Sequence, residues 1–318
     1  MMFGSNTLGN GWVVPADDAA ITAAAQLLNA GQIVAIPTET VYGLAADAQN
    51  AEAVAHIYAA KGRPDFNPLI VHVRDRKAAE KLGLFNATAQ ALAEAFWPGP
   101  LTLVLPLKQG APVARAVTAG LPTIAIRCPN HPVMQALLLK SDLSLAAPSA
   151  NRSGAISPTR ADHVLKGLGG AVPMILDGGP CSAGLESTIV AVRDDGWQIL
   201  RPGPVTSKEI EQTLGYPPFA LPTASIEAPG QMASHYAPSK PVRLNVTVSE
   251  KGEYLIGFGA IAGDDNLSAT GDLAQAAAHL FEALHNADAS LASAIAVAPI
   301  PHEGIGIAIN DRLSRAAA

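Results

Sequence analysis

Short apolar runs, several closing on polar or cationic residues, constrain this chain more than any other feature. QIVAIP (32–37), PLIVHV (68–73), LTLVLPL (101–107), TIAIRC (123–128) and SLAAPSAN (144–151) are too short for ordinary helices and read as strands. Between them lie Ala/Leu-rich stretches with helical spacing. ITAAAQLLNAG follows Asp17-Asp18 and stops at Gly31, and AEAVAHIYAAKG stops at Gly62 before Pro64. ATAQALAEAF, HPVMQALLLK and SPTRADHVLKGLGG are further helices. Strands then cluster in MILDGG, STIVAV and WQILRPG, before a helix at TSKEIEQTLG whose Thr206–Glu209 spacing is that of a capping box. Alternation followed by clustering predicts a twisted, mixed α/β sheet in one domain, residues 1–210. PTETVYGLAADA, polar and then small, reads as a loop at the carboxyl end of the first of these strands.

From Tyr216 to Pro241 the periodicity breaks into a Pro/Ala/Ser-rich stretch, predicting a linker over 211–240. Residues 241–318 then read as a small β-α-β unit with a helix from Asp272 to about Ala287. Its GFGAIAG is GxGxxxG, one residue off the dinucleotide fingerprint, and a tight turn is the simpler reading.

About half of the 318 residues are hydrophobic, enough for a substantial core, and the formal charge is -6. That balance argues against a general nucleic-acid coat, but not against a local basic pocket. Cys128 and Cys181 are far apart and outside any CxxC pattern, which points to a reducing compartment without a zinc site. The N-terminus lacks the layout of a secretory signal, and no run of about 18 apolar residues occurs. The expectation is a soluble, cytoplasmic protein. Walker A, GxSxG and protein-kinase signatures are absent, so nucleotide chemistry would need another cradle.

The polar strand ends are the better clue, because ligands of open α/β sheets bind beyond strand ends. Alone, Lys61 reads as a cation complementing a helix dipole. Arg63 sits between Gly62 and Pro64, and a guanidinium held on such a backbone suits bidentate phosphate binding. His72 alone reads as a core histidine, and Ser149 and Asn151 as cap or turn residues. Thr123 and Arg127 share one face of a strand, and Arg127 there needs an anionic partner or an aqueous cavity.

In order, PTETVYGLAADA, KGRPDFNPLIVHV, WPGPLTLVL, TIAIRCPNHP, APSANRSGAISPT and GLESTIV…ILRPG resemble the YrdC-like family over about residues 15 to 205. Lys61, Arg63, Ser149 and Asn151 match its KxR…SxN signature, the catalytic set that the resemblance implies. The linker PGQMASHYAPSKP and the following unit resemble the family's long form, with a small Rossmann-like C-terminal domain. The resemblance implies that L-threonine, bicarbonate and ATP give L-threonylcarbamoyl-adenylate and pyrophosphate. This is a nucleotidyl transfer that begins threonylcarbamoyladenosine modification of tRNA. It implies magnesium carried with ATP, neither an organic cofactor nor a protein-held metal, and a downstream tRNA threonylcarbamoyl transferase complex. Strong tRNA binding and membrane association are not expected.

By the same resemblance, Thr40, His72, Arg127, Ser149 and Ser187 form the threonine site, with Arg127 as the carboxylate partner. Lys61, Arg63, Asn67, Thr123, Asn151, Thr159 and Arg201 line the ATP side, and the linker pair His235-Tyr236 forms a lid. Two other readings stay open: an RNA-binding YrdC-like module, and HypF-type carbamoyl-adenylate chemistry. The acidic balance and few aromatics count against the first. The second is found in chains with further large domains and zinc-binding cysteines.

Overall fold

The computed structural model describes residues 12–219 and 235–318. The chain begins with β1 (Trp12–Pro15), α1 (Asp18–Asn29), β2 (Val34–Ile36), β3 (Gly43–Asp47), α2 (Ala51–Lys61) and β4 (Ile70–His72). It continues through α3 (Arg76–Ala79), α4 (Ala87–Phe96), β5 (Leu101–Pro106), β6 (Thr123–Arg127), α5 (Pro132–Ser141) and β7 (Leu145–Ala146). Then come α6 (Ala161–Leu168), β8 (Met174–Asp177), β9 (Thr188–Arg193), β10 (Gly196–Arg201) and α7 (Ser207–Leu214). The last stretch holds β11 (Val242–Leu244), β12 (Glu253–Gly257), β13 (Asp265–Asn266), α8 (Leu273–Ala289), β14 (Ala294–Val297) and α9 (Gly306–Ala316).

The first ten strands form one sheet in the order β1-β8-β2-β3-β7-β4-β6-β5-β9-β10, with parallel and antiparallel neighbours, as expected of a mixed sheet. GLAAD, read as loop, is instead β3, antiparallel to β2. Its small side chains are almost all buried, and pairing satisfies their backbone groups, which a buried loop could not do. WVVP is an edge strand parallel to β8, a pairing too distant in sequence for local pattern to signal.

Helices cover both faces. On one, Ile21, Ala24 and Leu28 of α1 recur at helical spacing and meet Met134, Leu137 and Leu138 of α5 over Val34, Ile36 and Leu145. Asp17 caps α1 by accepting from Ala20 N at 2.8 Å. On the other face α2, α4, α6 and α7 enclose the larger core, which includes buried Trp197. The Thr206–Glu209 capping box of α7 is present.

The C-terminal sheet is wholly parallel, order β11-β14-β12-β13, with α8 and α9. In GFGAIAG, Gly257 ends β12, a Phe258–Ile261 bridge closes a turn, and the next helix begins only at Leu273. With no helix N-terminus following the turn, this segment is not a phosphate cradle. The core of this unit also takes in Val41, Ile156 and Leu185 from the loops of the large sheet, together with Tyr236. Gly184 makes that approach possible: its φ is +68°, and a Cβ there would lie 2.4 Å from Ala278 Cα of α8. Of the expected linker, 220–234 lie outside the described residues, as do 1–11. No described helix is long and apolar enough to cross a membrane.

His163 of α6 and His285 of α8 stack across this contact, with ring centroids 3.9 Å apart. Burial and the neighbouring His285 bring the His163 pKa down to about 3. Between its ordinary value and that one, the unfolded chain takes up a proton that the folded chain refuses, so stability falls as pH falls. Lowering the pH from 7 to 5.5 therefore removes about 1 kcal/mol through this histidine. Denaturant titrations at both pH values should show a smaller loss in His163→Gln; an equal loss would refute the assignment.

Candidate active site

The centre of the site is one rung of the large sheet. Parallel register sets His72 of β4 beside Arg127 of β6, and antiparallel register sets Arg127 beside Thr102 of β5. Thr102 Oγ1 lies 2.7 Å from Ser187 Oγ, just before β9. Four distant segments are thereby gathered at one level of the sheet.

Around this rung lies a cavity whose empty space, open solvent included, is about 540 Å³. Thr38, Thr40 and Val41 wall it on one side, and Arg63 and Ser149 on another. Glu186, Ser187 and Arg201 form the far wall, with His235 and Tyr236 against them. Of the residues expected in the site, Thr40, Arg63, His72, Arg127, Ser149, Ser187, Arg201, His235 and Tyr236 meet here.

Arg127 is buried, and each of its three guanidinium nitrogens has a protein contact. Its Nε donates to Gly99 O at 3.2 Å and Nη1 to Thr40 Oγ1 at 2.8 Å, while Nη2 lies 2.7 Å from Glu39 Oε1. Burial alone would raise the Glu39 carboxyl, but the Arg127 charge and the Asn130 amide outweigh it and hold its pKa below the ordinary value. The anionic partner that a buried Arg127 requires is thus supplied by the protein. A substrate carboxylate at this guanidinium would share it with Glu39. Glu39 was legible in TETVYG only as a loop acid; the signal that could have found it was the need to neutralise Arg127.

The basic fork divides. Gly62 takes φ +59° as the C-cap of α2, where a side chain would be strained, and the chain turns sharply between the two cations. Arg63 faces the cavity, anchored by Nε to Asn67 O at 3.2 Å and Nη2 to Pro68 O at 2.8 Å. Burial brings its pKa down to about 10, which leaves it cationic at neutral pH. Lys61 points elsewhere. Its Nζ donates to Ser149 O and Asn151 O, both at 2.5 Å, and it does not line the cavity. Burial, then the Arg63 charge, push its pKa well below the ordinary lysine value. Two N–H bonds suffice for two carbonyls, so the brace survives loss of the third proton. In this structure Lys61 ties the KxR turn to the SxN turn, whereas the resemblance implied a place for it at the phosphates.

Apart from Arg201, the other ATP-side candidates also lie off this cavity. Asn67 is buried in the Arg63 turn, and its carbonyl helps to hold the guanidinium. Asn151 donates to Arg152 O and Ala155 O and borders a neighbouring open cavity of about 1250 Å³, beside Ala237 and His285. Thr159 N donates to His163 Nδ1 at 3.3 Å. Thr123 shares a strand face with Arg127, but four residues of rise separate them by about 13 Å.

The remaining groups are tuned by burial. His72 is pushed down to about 3 by burial and by Arg127, and His235 to about 3 by burial, so both imidazoles are neutral. Arg201 donates Nε and Nη2 to Ser187 O at 3.2 and 2.9 Å, and Nη2 also reaches Ser187 Oγ at 3.2 Å. Tyr236 holds φ +64°, an unfavourable conformation for an aromatic residue, and its ring lies against His235 and Phe281. Among the described residues no group of three or more His, Cys, Asp or Glu side chains is arranged to hold a metal. Glu186, the carboxylate that lines the cavity, is bound by Arg312, and Glu39, behind the wall, is bound by Arg127.

Comparison with known proteins agrees with the geometry. Residues 26–203 match the Sua5/YciO/YrdC family, described as telomere recombination, and 205–318 match the threonylcarbamoyl-AMP synthase C-terminal domain. A threonylcarbamoyl-AMP synthase of Bacillus subtilis is 41% identical over 95% of this chain and 94% of its own. One of Pyrococcus abyssi is 37% identical over 93% of each chain. The crystal structure of P. abyssi Sua5 complexed with L-threonine superposes with a TM-score of 0.87 at 34% identity, over 98% of both chains. A P. abyssi Sua5 variant with adjacent His-to-Ala and Tyr-to-Ala substitutions superposes at 0.88, covering 96% of each chain.

Lys61→Met leaves one buried and one partly buried carbonyl without this donor. It should lower unfolding free energy by about 2–3 kcal/mol in urea titration. Unchanged stability would mean that the brace contributes nothing.

Proposed function

The chain belongs to the Sua5/YciO/YrdC family in its two-domain form, and from that membership we propose that it is a threonylcarbamoyl-AMP synthase. The threonine amine and bicarbonate form a carbamate with loss of water. A carbamate oxygen then attacks the α-phosphorus of ATP, and the bond to pyrophosphate breaks. The products are L-threonylcarbamoyl-adenylate and pyrophosphate, which makes the enzyme a nucleotidyltransferase. Its product serves a tRNA threonylcarbamoyl transferase complex.

The observation that carries this reading is the meeting of Arg63, Arg127 and Arg201 with two neutral imidazoles and the Thr40, Ser149 and Ser187 hydroxyls around one cavity. Arg63 and Arg201 are held rigidly by backbone carbonyls, an arrangement suited to stabilising charge on a transferring phosphoryl group and a leaving pyrophosphate. The reaction needs no protein nucleophile, so positioning and electrostatics are the protein's work. Thr40, fixed by Arg127, and neutral His72 suit the polar groups of threonine. Magnesium enters with the nucleotide's phosphates and draws no ligand cluster from the protein. His235 and Tyr236 close one side of the cavity, where exclusion of water would protect a carbamoyl-adenylate from hydrolysis.

Incubation with ATP, bicarbonate and labelled L-threonine should release pyrophosphate only when all three are present. ATP turnover indifferent to threonine would sink the reading. Arg63→Ala should lower that rate about 100-fold or more, the scale of losing one preorganised charge donor. A near-normal rate would return Arg63 to a structural role.

A further inference from the structure

Arg312 belongs to no motif that the chemistry uses. It lies on α9 of the C-terminal unit, and its side chain is fully buried. Nε donates to Glu186 Oε2 at 2.8 Å and Nη1 to Asp311 Oδ2 at 2.7 Å. The guanidinium carbon lies 5.2 Å from the centre of the Tyr236 ring, within range of a cation–π contact. Nη2 is buried without a hydrogen-bond partner. One side chain of the C-terminal helix therefore touches two residues that wall the cavity, Glu186 and Tyr236.

Glu186 is the unusual member of that wall. It is a carboxylate in a cavity that has to attract a polyanion. Burial would raise its pKa, but the charges of Arg312 and Arg201 outweigh burial and keep it ionised. Left to itself, this carboxylate would take Arg201 as its counter-ion and compete with phosphate for it. Arg312 does not line the cavity, so it neutralises Glu186 from behind. It also supports Tyr236 in its left-handed conformation.

We propose that Arg312 is a positioning residue of the active site: it holds the Glu186 carboxylate and the Tyr236 ring at the cavity wall, leaving Arg201 available to the anionic substrate. The C-terminal unit thereby sets the charge balance of a site formed mainly by the large sheet. This rests on the reading of the cavity as a nucleotide polyphosphate site.

Calorimetric titration of the full chain with pyrophosphate tests it without requiring turnover. Arg312→Met strands the carboxylate and should weaken binding about tenfold. Glu186→Gln removes a negative charge and should tighten it about threefold. The double variant should return to within about threefold of the parent, because the uncompensated charge is gone even though the ion pair is not restored. A purely structural pair would not show that recovery. Unchanged affinity in Arg312→Met, a double variant as weak as Arg312→Met, or no binding by the parent would overturn the proposal. Should Arg312→Met fail to fold, Glu186→Gln decides it: weaker or unchanged binding there overturns the proposal. Pyrophosphate binding in this pattern without threonine-dependent turnover would instead sink the proposed activity and leave the role of Arg312 standing.

Discussion

A guanidinium buried at the middle of a sheet must have its charge met by the protein, and most of this site follows from how Arg127 meets that demand. Its three nitrogens meet Gly99 O, Thr40 Oγ1 and Glu39. Those contacts tie the turn after α4 and the loop after β2 to the strand β6 between them. Breaking such a pair strands a buried charge, which is strongly destabilising. The loop that carries Thr40 is therefore held by electrostatics at the level of His72 and Thr102.

The same logic recurs at the far wall, where buried Glu186 is met by Arg312. The cavity thus contains more charges than it presents. Each carboxylate is held by an arginine, and Arg63 and Arg201 rest on backbone carbonyls, which orient them without cancelling their charge. An acidic chain can in this way keep a locally cationic cavity. Overall charge bears on steering and solubility, whereas a site depends on which charges are already paired.

The KGRPDFN turn shows how a sequence motif can hide a division of labour. Lys61 and Arg63 stand two apart and look equivalent. The left-handed Gly62 sends them to different places, one under the SxN turn and the other into the cavity. Buried lysine serves well as a brace, because its flexible stem lets one nitrogen reach two carbonyls.

Most strands, most helices and the break after Tyr216 were legible because period and punctuation are local properties of the chain. GLAAD was misread because small residues in a buried strand look like those of a loop until a partner strand supplies the hydrogen bonds. Alternation placed Thr123 and Arg127 on one face of a strand but could not show the distance along it. By itself, the sequence determined most of the elements, the family and most of the residues that reach the cavity. Only the tertiary structure decided that Lys61 braces, that Glu39 neutralises Arg127, and that Arg312 reaches Glu186 across 126 residues of sequence. Pairing of buried charges depends on distance in space, and no local pattern encodes it.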